Sequence, residues 1–149
     1  VGLAFASGAA QAQTTITDTF DVLITINADC DITNPTDLDF GTNGLLNANV
    51  DATSTFDVQC TDTTPFDMGL DQGLNATRRM DDGGTNFVDY ELYADAARTD
   101  VWGETVGVDT ETDVGTGSAV TYTVYGRVPV QATPAPGNYT DTVTIEVTY

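Results

Sequence analysis

The side chains best suited to chemistry in this sequence are clustered aspartates. Asp81-Asp82-Gly83-Gly84 and Asp109-Thr110-Glu111-Thr112-Asp113 gather carboxylates at the close spacing a calcium ion needs from oxygen ligands. Neither carries the sixth-position glycine and twelfth-position glutamate of an EF-hand loop. Asp37 with Asp39, and Asp89 with Glu91, are two residues apart, so on strands each pair would share a face, as the paired acids of a glycosidase must. Nothing in the sequence marks one member as an acid with a raised pKa. Trp102, Tyr90, Tyr93 and Tyr125 would serve either as a sugar-stacking platform or as core aromatics of a sandwich. Asn75-Ala76-Thr77 and Asn138-Tyr139-Thr140 fit a glycosylation sequon, which a threonine-rich chain also produces by chance. In a chain this rich in acids such clusters arise freely. The expectation is solvated loops and a packed core, with no metal and no cofactor.

Composition narrows the chemistry further. The 149 residues carry 23 Asp+Glu against 4 Lys+Arg, a formal charge of −19. The four cations are Arg78, Arg79, Arg98 and Arg127, and there is no lysine or histidine. A histidine base, a Ser–His or Cys–His pair, a Schiff-base lysine and a P-loop lysine are therefore excluded. Two thiols without histidine cannot form a usual zinc site. Four arginines under such a negative excess offer no face for phosphates, so nucleic acid is not an expected partner. An enzyme is not expected.

The first residues are small, apolar and uncharged, ending in Ala10-Gln11-Ala12. They read as the remnant of a secretory signal over 1–12, with an A-x-A site cut before Gln13. An ordinary Ala/Gly-rich arm is the alternative. Cys30 and Cys60 are the only cysteines. In an exported chain such a pair is expected as one disulfide, and free buried thiols are the alternative. No apolar run reaches the ~18 residues of a membrane-spanning helix, so the chain is not expected to span a membrane.

Stepping along the chain, alternation dominates. Ile16, Asp18, Phe20, Val22, Ile24 and Ile26 occupy even positions, with mostly Thr or Asp between them. The same period recurs at Phe56–Cys60, Phe66–Leu70, Val88–Leu92 and Val120–Val124. It closes with Tyr139, Val143, Ile145, Val147 and Tyr149, which Asp141 interrupts. Each run predicts a strand with one buried face. Turn-rich pieces separate them: Asn34-Pro35, 41–44, 81–84, 115–117 and 134–137. No stretch has a useful helical period. Short antiparallel strands at this spacing predict one all-β domain, an immunoglobulin-like β-sandwich.

The order of these pieces resembles the spore coat protein U-like domain, shared by subunits of archaic chaperone–usher pili. The matching segments begin with Cys30-Asp-Ile-Thr, Leu38-Asp-Phe-Gly41, Val58-Gln-Cys-Thr61, Gly69-Leu-Asp-Gln-Gly73 and Arg79-Met80. They continue with Tyr90-Glu-Leu-Tyr-Ala-Asp95, Trp102-Gly103, Val124-Tyr-Gly-Arg-Val-Pro129 and Gly137-Asn-Tyr-Thr-Asp-Thr-Val-Thr144. The resemblance covers nearly everything from Thr15 onward.

The resemblance implies a sandwich that lacks its final strand. A periplasmic chaperone fills the resulting groove, and an outer-membrane usher exchanges it for the N-terminal extension of the next subunit. The residues agree with that expectation. The closing run offers an edge at Val143, Ile145, Val147 and Tyr149 with no later strand in the sequence to cover it. The extra segment near the start offers Ile16, Phe20, Val22 and Ile24 as a strand to lend. The expected organisation is a donor strand over 13–22 and a pilin domain over 23–149. The expected function is a homopolymeric surface pilus subunit, exported through the periplasm, for adhesion or biofilm formation. A secreted coat protein with the same domain, and an acidic carbohydrate- or calcium-binding sandwich module, are the alternatives.

Overall fold

The structure, a computed structural model, describes residues 1–5 and 7–149. Nine strands form among them: β1 (Cys30–Thr33), β2 (Val50–Cys60), β3 (Pro65–Leu70), β4 (Arg79–Asp81), β5 (Phe87–Asp89), β6 (Glu91–Tyr93), β7 (Glu111–Val114), β8 (Val120–Val128) and β9 (Ile145–Thr148). One sheet has the order β1-β2-β8-β6 and a second the order β7-β3-β9, while β4 and β5 form a separate hairpin. All the pairings are antiparallel. The chain is an all-β, immunoglobulin-like sandwich.

The long pair β2–β8 runs in unbroken register from Val50↔Val128 to Val58↔Val120. Period-2 alternation turns Phe56, Val58 and Cys60 inward from β2, and Val124 and Val128 from β8. Phe66, Met68 and Leu70 answer them from β3 in the other sheet, and Trp102 fills the space between. The Trp102 ring lies 5.9 Å from that of Phe56, and its Nε1–H donates to the Met68 carbonyl at 2.8 Å. Gly126 is required by packing. A Cβ there would sit 2.7 Å from Leu38 Cδ1, so the Leu38–Phe40 segment crosses β8 only because that side chain is missing.

Two polar groups bind irregular segments to this frame. Arg78 is buried. Its guanidinium donates to Glu91 Oε1 (2.8 Å) and to the carbonyls of Leu70 (2.8 Å), Asp71 (3.3 Å), Leu92 (3.4 Å) and Trp102. One cation thus satisfies carbonyls from the end of β3, from β6 and from the Trp102 loop. Asp141, which breaks the apolar alternation, accepts from the Tyr90 hydroxyl at 2.7 Å and from the Leu74 N–H at 2.9 Å.

Three runs differ from the sequence expectation. The alternation at Val88–Leu92 is two strands, β5 and β6, in different sheets. The chain crosses between them at Tyr90, whose N–H donates to the Arg78 carbonyl at 3.0 Å. Of the closing run only Ile145–Thr148 is regular strand; Thr140 makes an isolated bridge to Asp81. The run at 16–26 forms no strand, because a strand exists by pairing and no described residue of its own chain pairs with it.

Candidate functional site

One edge strand of each sheet, β9 and β1, lies on the same side of the sandwich. β9 is the last strand of β7-β3-β9, and β1 the last of β1-β2-β8-β6. The Tyr122 hydroxyl of β8 donates to Asp113 of β7 at 2.7 Å, which sets β7 over β8. The Tyr149 hydroxyl donates to Asp29 at 3.1 Å, which sets the end of β9 over the start of β1. Among the described residues neither edge has a further strand beside it.

The register fixes which backbone groups β9 leaves free. The Asp71 N–H donates to Thr144 O at 3.1 Å, while the Leu70 N–H turns away to Gly103 O at 2.8 Å. Antiparallel alternation then aims the backbone of Thr144, Glu146 and Thr148 at β3. Val143, Ile145 and Val147 direct their N–H and C=O groups out of the opposite, open edge. Their side chains meanwhile pack on the core, as does Ile32 of β1. The edge therefore combines free backbone hydrogen-bonding groups with an apolar floor, the arrangement that accepts an added strand. Tyr149, the fourth expected edge residue, is 58% exposed.

The N-terminal segment is the reverse case. Ile16, Phe20, Val22 and Ile24 are 91%, 85%, 85% and 85% exposed. Exposure continues past Val22 through Leu23 and Ile26. Among the described residues before Asp29, the one hydrogen bond is local, from the Thr19 N–H to Asp18 Oδ1 at 2.8 Å. Six large apolar side chains in water within eleven residues need a partner from outside.

Cys30 and Cys60 are directly opposed in the β1–β2 register and are joined by a disulfide. This bridge fixes β1, one border of the open side, to the central strand β2.

The other candidate chemistry disperses. Asp81 accepts from the Gly83 N–H and from Asn75, and Asp82 from the Gly84 N–H and from Asn86, so these carboxylates are engaged by the turn and the segments beside it. The Asn86 and Asn75 bonds, respectively, are the chief causes that hold Asp82 and Asp81 below the usual carboxylate range. Asp109–Asp113 is not a loop throughout, since β7 begins at Glu111. Burial pushes the Glu111 carboxyl up. Among the described residues no three His, Cys, Asp or Glu side chains converge to hold a metal. Asp37 and Asp39 lie outside the strands, and Glu91 is bound to Arg78. Trp102 and Tyr90 are core residues, while Tyr93 and Tyr125 are half-buried and directly opposed on β6 and β8, so the four aromatics do not share one exposed face. Asn75 of the first sequon donates its amide to Arg79 O and Asp81. No helix of the described residues is long and apolar enough to cross a membrane.

Arg78 was not legible as a hub. Its one signal is rarity, being among four cations in the chain.

The family model described as the Spore Coat Protein U domain matches residues 16–146. The chain belongs to the Spore Coat Protein U domain family. Protein U of Myxococcus xanthus is 33% identical over 128 residues, covering 75% of this chain and 71% of that protein. Among solved structures, the fold is similar to the CsuC–CsuE chaperone–tip adhesion subunit pre-assembly complex from archaic chaperone–usher Csu pili of Acinetobacter baumannii. The TM-score is 0.60 and the identity 26%, over 84% of this chain. The match spans 40% of that longer chain. The matched family and this pilus subunit are structural proteins, not enzymes.

Proposed function

We propose that this chain is a structural subunit of an archaic chaperone–usher pilus, joined to its neighbours by donor-strand exchange. The carrying observation is complementarity within one sequence. The chain has an open β9 edge with an apolar floor, and a detached arm whose apolar side chains recur every second residue. An arm that lends itself to the next copy is a heterologous contact and grows into an open filament. Each large apolar side chain fully buried contributes about 1.5–3 kcal/mol, so three supply several kcal/mol before ordering costs. Backbone pairing along Val143–Val147 adds to this.

Such an edge needs cover before assembly. A periplasmic chaperone supplies it, an outer-membrane usher replaces the chaperone with the next subunit's arm, and the polymer stands on the cell surface in adhesion or biofilm formation. The likeness to a chaperone–subunit complex supports the chaperone as first partner. The test is electron microscopy of cells making the chain with its chaperone and usher. Long filaments that contain it are expected, whereas a monomer in the same preparation would contradict the reading. The likeness to Protein U favours a second reading, a secreted coat protein. It predicts the protein in a coat layer without any need for an usher.

A further inference from the structure

We infer that the segment lent to the neighbour is Phe20–Ile26, and that Asp18 stays outside the acceptor edge. This rests on the donor-strand reading above and assigns its register. Phe20, Val22, Ile24 and Ile26 are four consecutive even positions, all apolar and 70–85% exposed. Along β9 and the residues just before it, the core-facing residues with outward backbone groups are Val143, Ile145 and Val147, with Tyr149 next in phase. Directly opposed residues in a pair of strands send their side chains to the same face. The even donor positions therefore oppose the odd acceptor positions, four against four.

A strand starting at Ile16 would instead bring Asp18 onto that face. A buried carboxylate needs a cation or several donors. Three of the four arginines are paired with acids elsewhere, and the fourth, Arg79, whose buried Nε has no partner, is placed away from the open edge. Arg78 holds Glu91, while Arg98 and Arg127 share Asp51. Arg79 stacks on the Phe87 ring at 4.1 Å. Its strand, β4, bridges Thr140 through Asp81 in phase with the Thr144–Asp71 bond, so it lies on the β3 side of the terminal segment and not along the open edge. Glu146 on β9 and Asp29 beside Tyr149 add like charge. Beginning at Phe20 avoids the conflict and leaves Asn27–Asp29, a tether spanning at most ~10 Å, before the disulfide-anchored β1.

The test compares full-length variants Ile26→Asp, Ile16→Asp, Asp18→Ile and Phe20→Asp, made with the chaperone and usher. Filament yield is divided by the amount of chaperone-bound subunit, which controls for export and folding. Ile26→Asp should lower the ratio about tenfold or more, from the lost burial and the added charge. Ile16→Asp and Asp18→Ile should match the parent. A loss with Ile16→Asp, a gain with Asp18→Ile, or no loss with Ile26→Asp while Phe20→Asp abolishes filaments would overturn this register and leave donor exchange standing. Undiminished filaments from Phe20→Asp and all the others would overturn donor exchange itself.

Discussion

The Tyr149 hydroxyl donates to the Asp29 carboxylate at 3.1 Å, tying the residue after β9 to the residue before β1. These strands belong to different sheets and share no ladder. The bond therefore closes one end of the open side of the sandwich while the length of both edges stays unpaired. What holds β1 in place is not this exposed contact but the Cys30–Cys60 bridge to β2.

The bridge sets the first prediction. Alkylation without reductant should leave both cysteines unmodified, and reduction should lower stability by about 3–4 kcal/mol, the chain-entropy value for a loop of about 30 residues. Intact mass and denaturant melts check the two parts. Two alkylated thiols per chain would remove the bridge from the account.

Arg78 sets the second. Arg78→Ala strips partners from the carbonyls of Leu70, Asp71, Leu92 and Trp102 together and leaves Glu91 without its cation. A loss of about 3 kcal/mol or more is expected in urea melts. Arg127→Ala is the contrast. Its pair with Asp51, at 2.7 and 2.8 Å, is partly exposed, and a much smaller loss than for Arg78→Ala is expected.

These contrasts mark how far the sequence could be read. β2, β3 and β8 were legible because each turns an unbroken period-2 face to the core, as Phe56, Val58 and Cys60 do. β7 was not, since Glu111–Val114 is a short, mostly exposed edge strand with no apolar period. The crossing at Tyr90 was hidden for the opposite reason. Val88, Tyr90 and Leu92 are all buried, and alternation cannot tell that one core receives them from two sheets. The arm was legible as a face without a partner. Its separation from the body is tertiary, and only the pairing of β9 with β3 alone shows where an extra strand has room.

A third prediction concerns pH. A bond from Arg127 holds the Asp51 carboxyl below the usual range, and one from Tyr122 does so for Asp113. At Asp71 burial pushes upward, but bonds from Thr144 and Gly73 and the charge of Arg78 outweigh it. Depressed folded-state values mean stability that is complete above the unfolded carboxylate pKa of about 3.9 and lost as pH falls below it. Tyr90 runs the other way. Burial first, then the bond to Asp141, raises its hydroxyl above the ordinary value. Its contribution is complete below about pH 10 and is lost as pH rises further. Burial raises the Glu111 carboxyl, whose contribution is lost as pH rises through its folded value. With no histidine to titrate above it, melting temperature should be flat from about pH 6 to 9. A step near neutrality would contradict these assignments.

Salt sets a fourth. The formal charge of −19 repels itself within the chain, and would do so between neighbours in the proposed filament. Screening shortens from about 10 Å at 0.1 M to about 3 Å at 1 M. The few arginine pairs weaken with added salt, but the unpaired acids far outnumber them. Melting temperature should therefore rise from low to molar salt, and a flat or falling curve would show that the acids are not in net repulsion.

The central claim is that one face of the N-terminal arm enters the open edge of another subunit, and Phe20→Ala against Thr19→Ala measures it most directly. Phe20 is on the apolar face and Thr19 on the opposite one. Filament yield is compared with the periplasmic chaperone–subunit complex for each. Phe20→Ala should lower filaments while the complex stays at parental level, and Thr19→Ala should change neither. Equal filament yields from the two variants would contradict it.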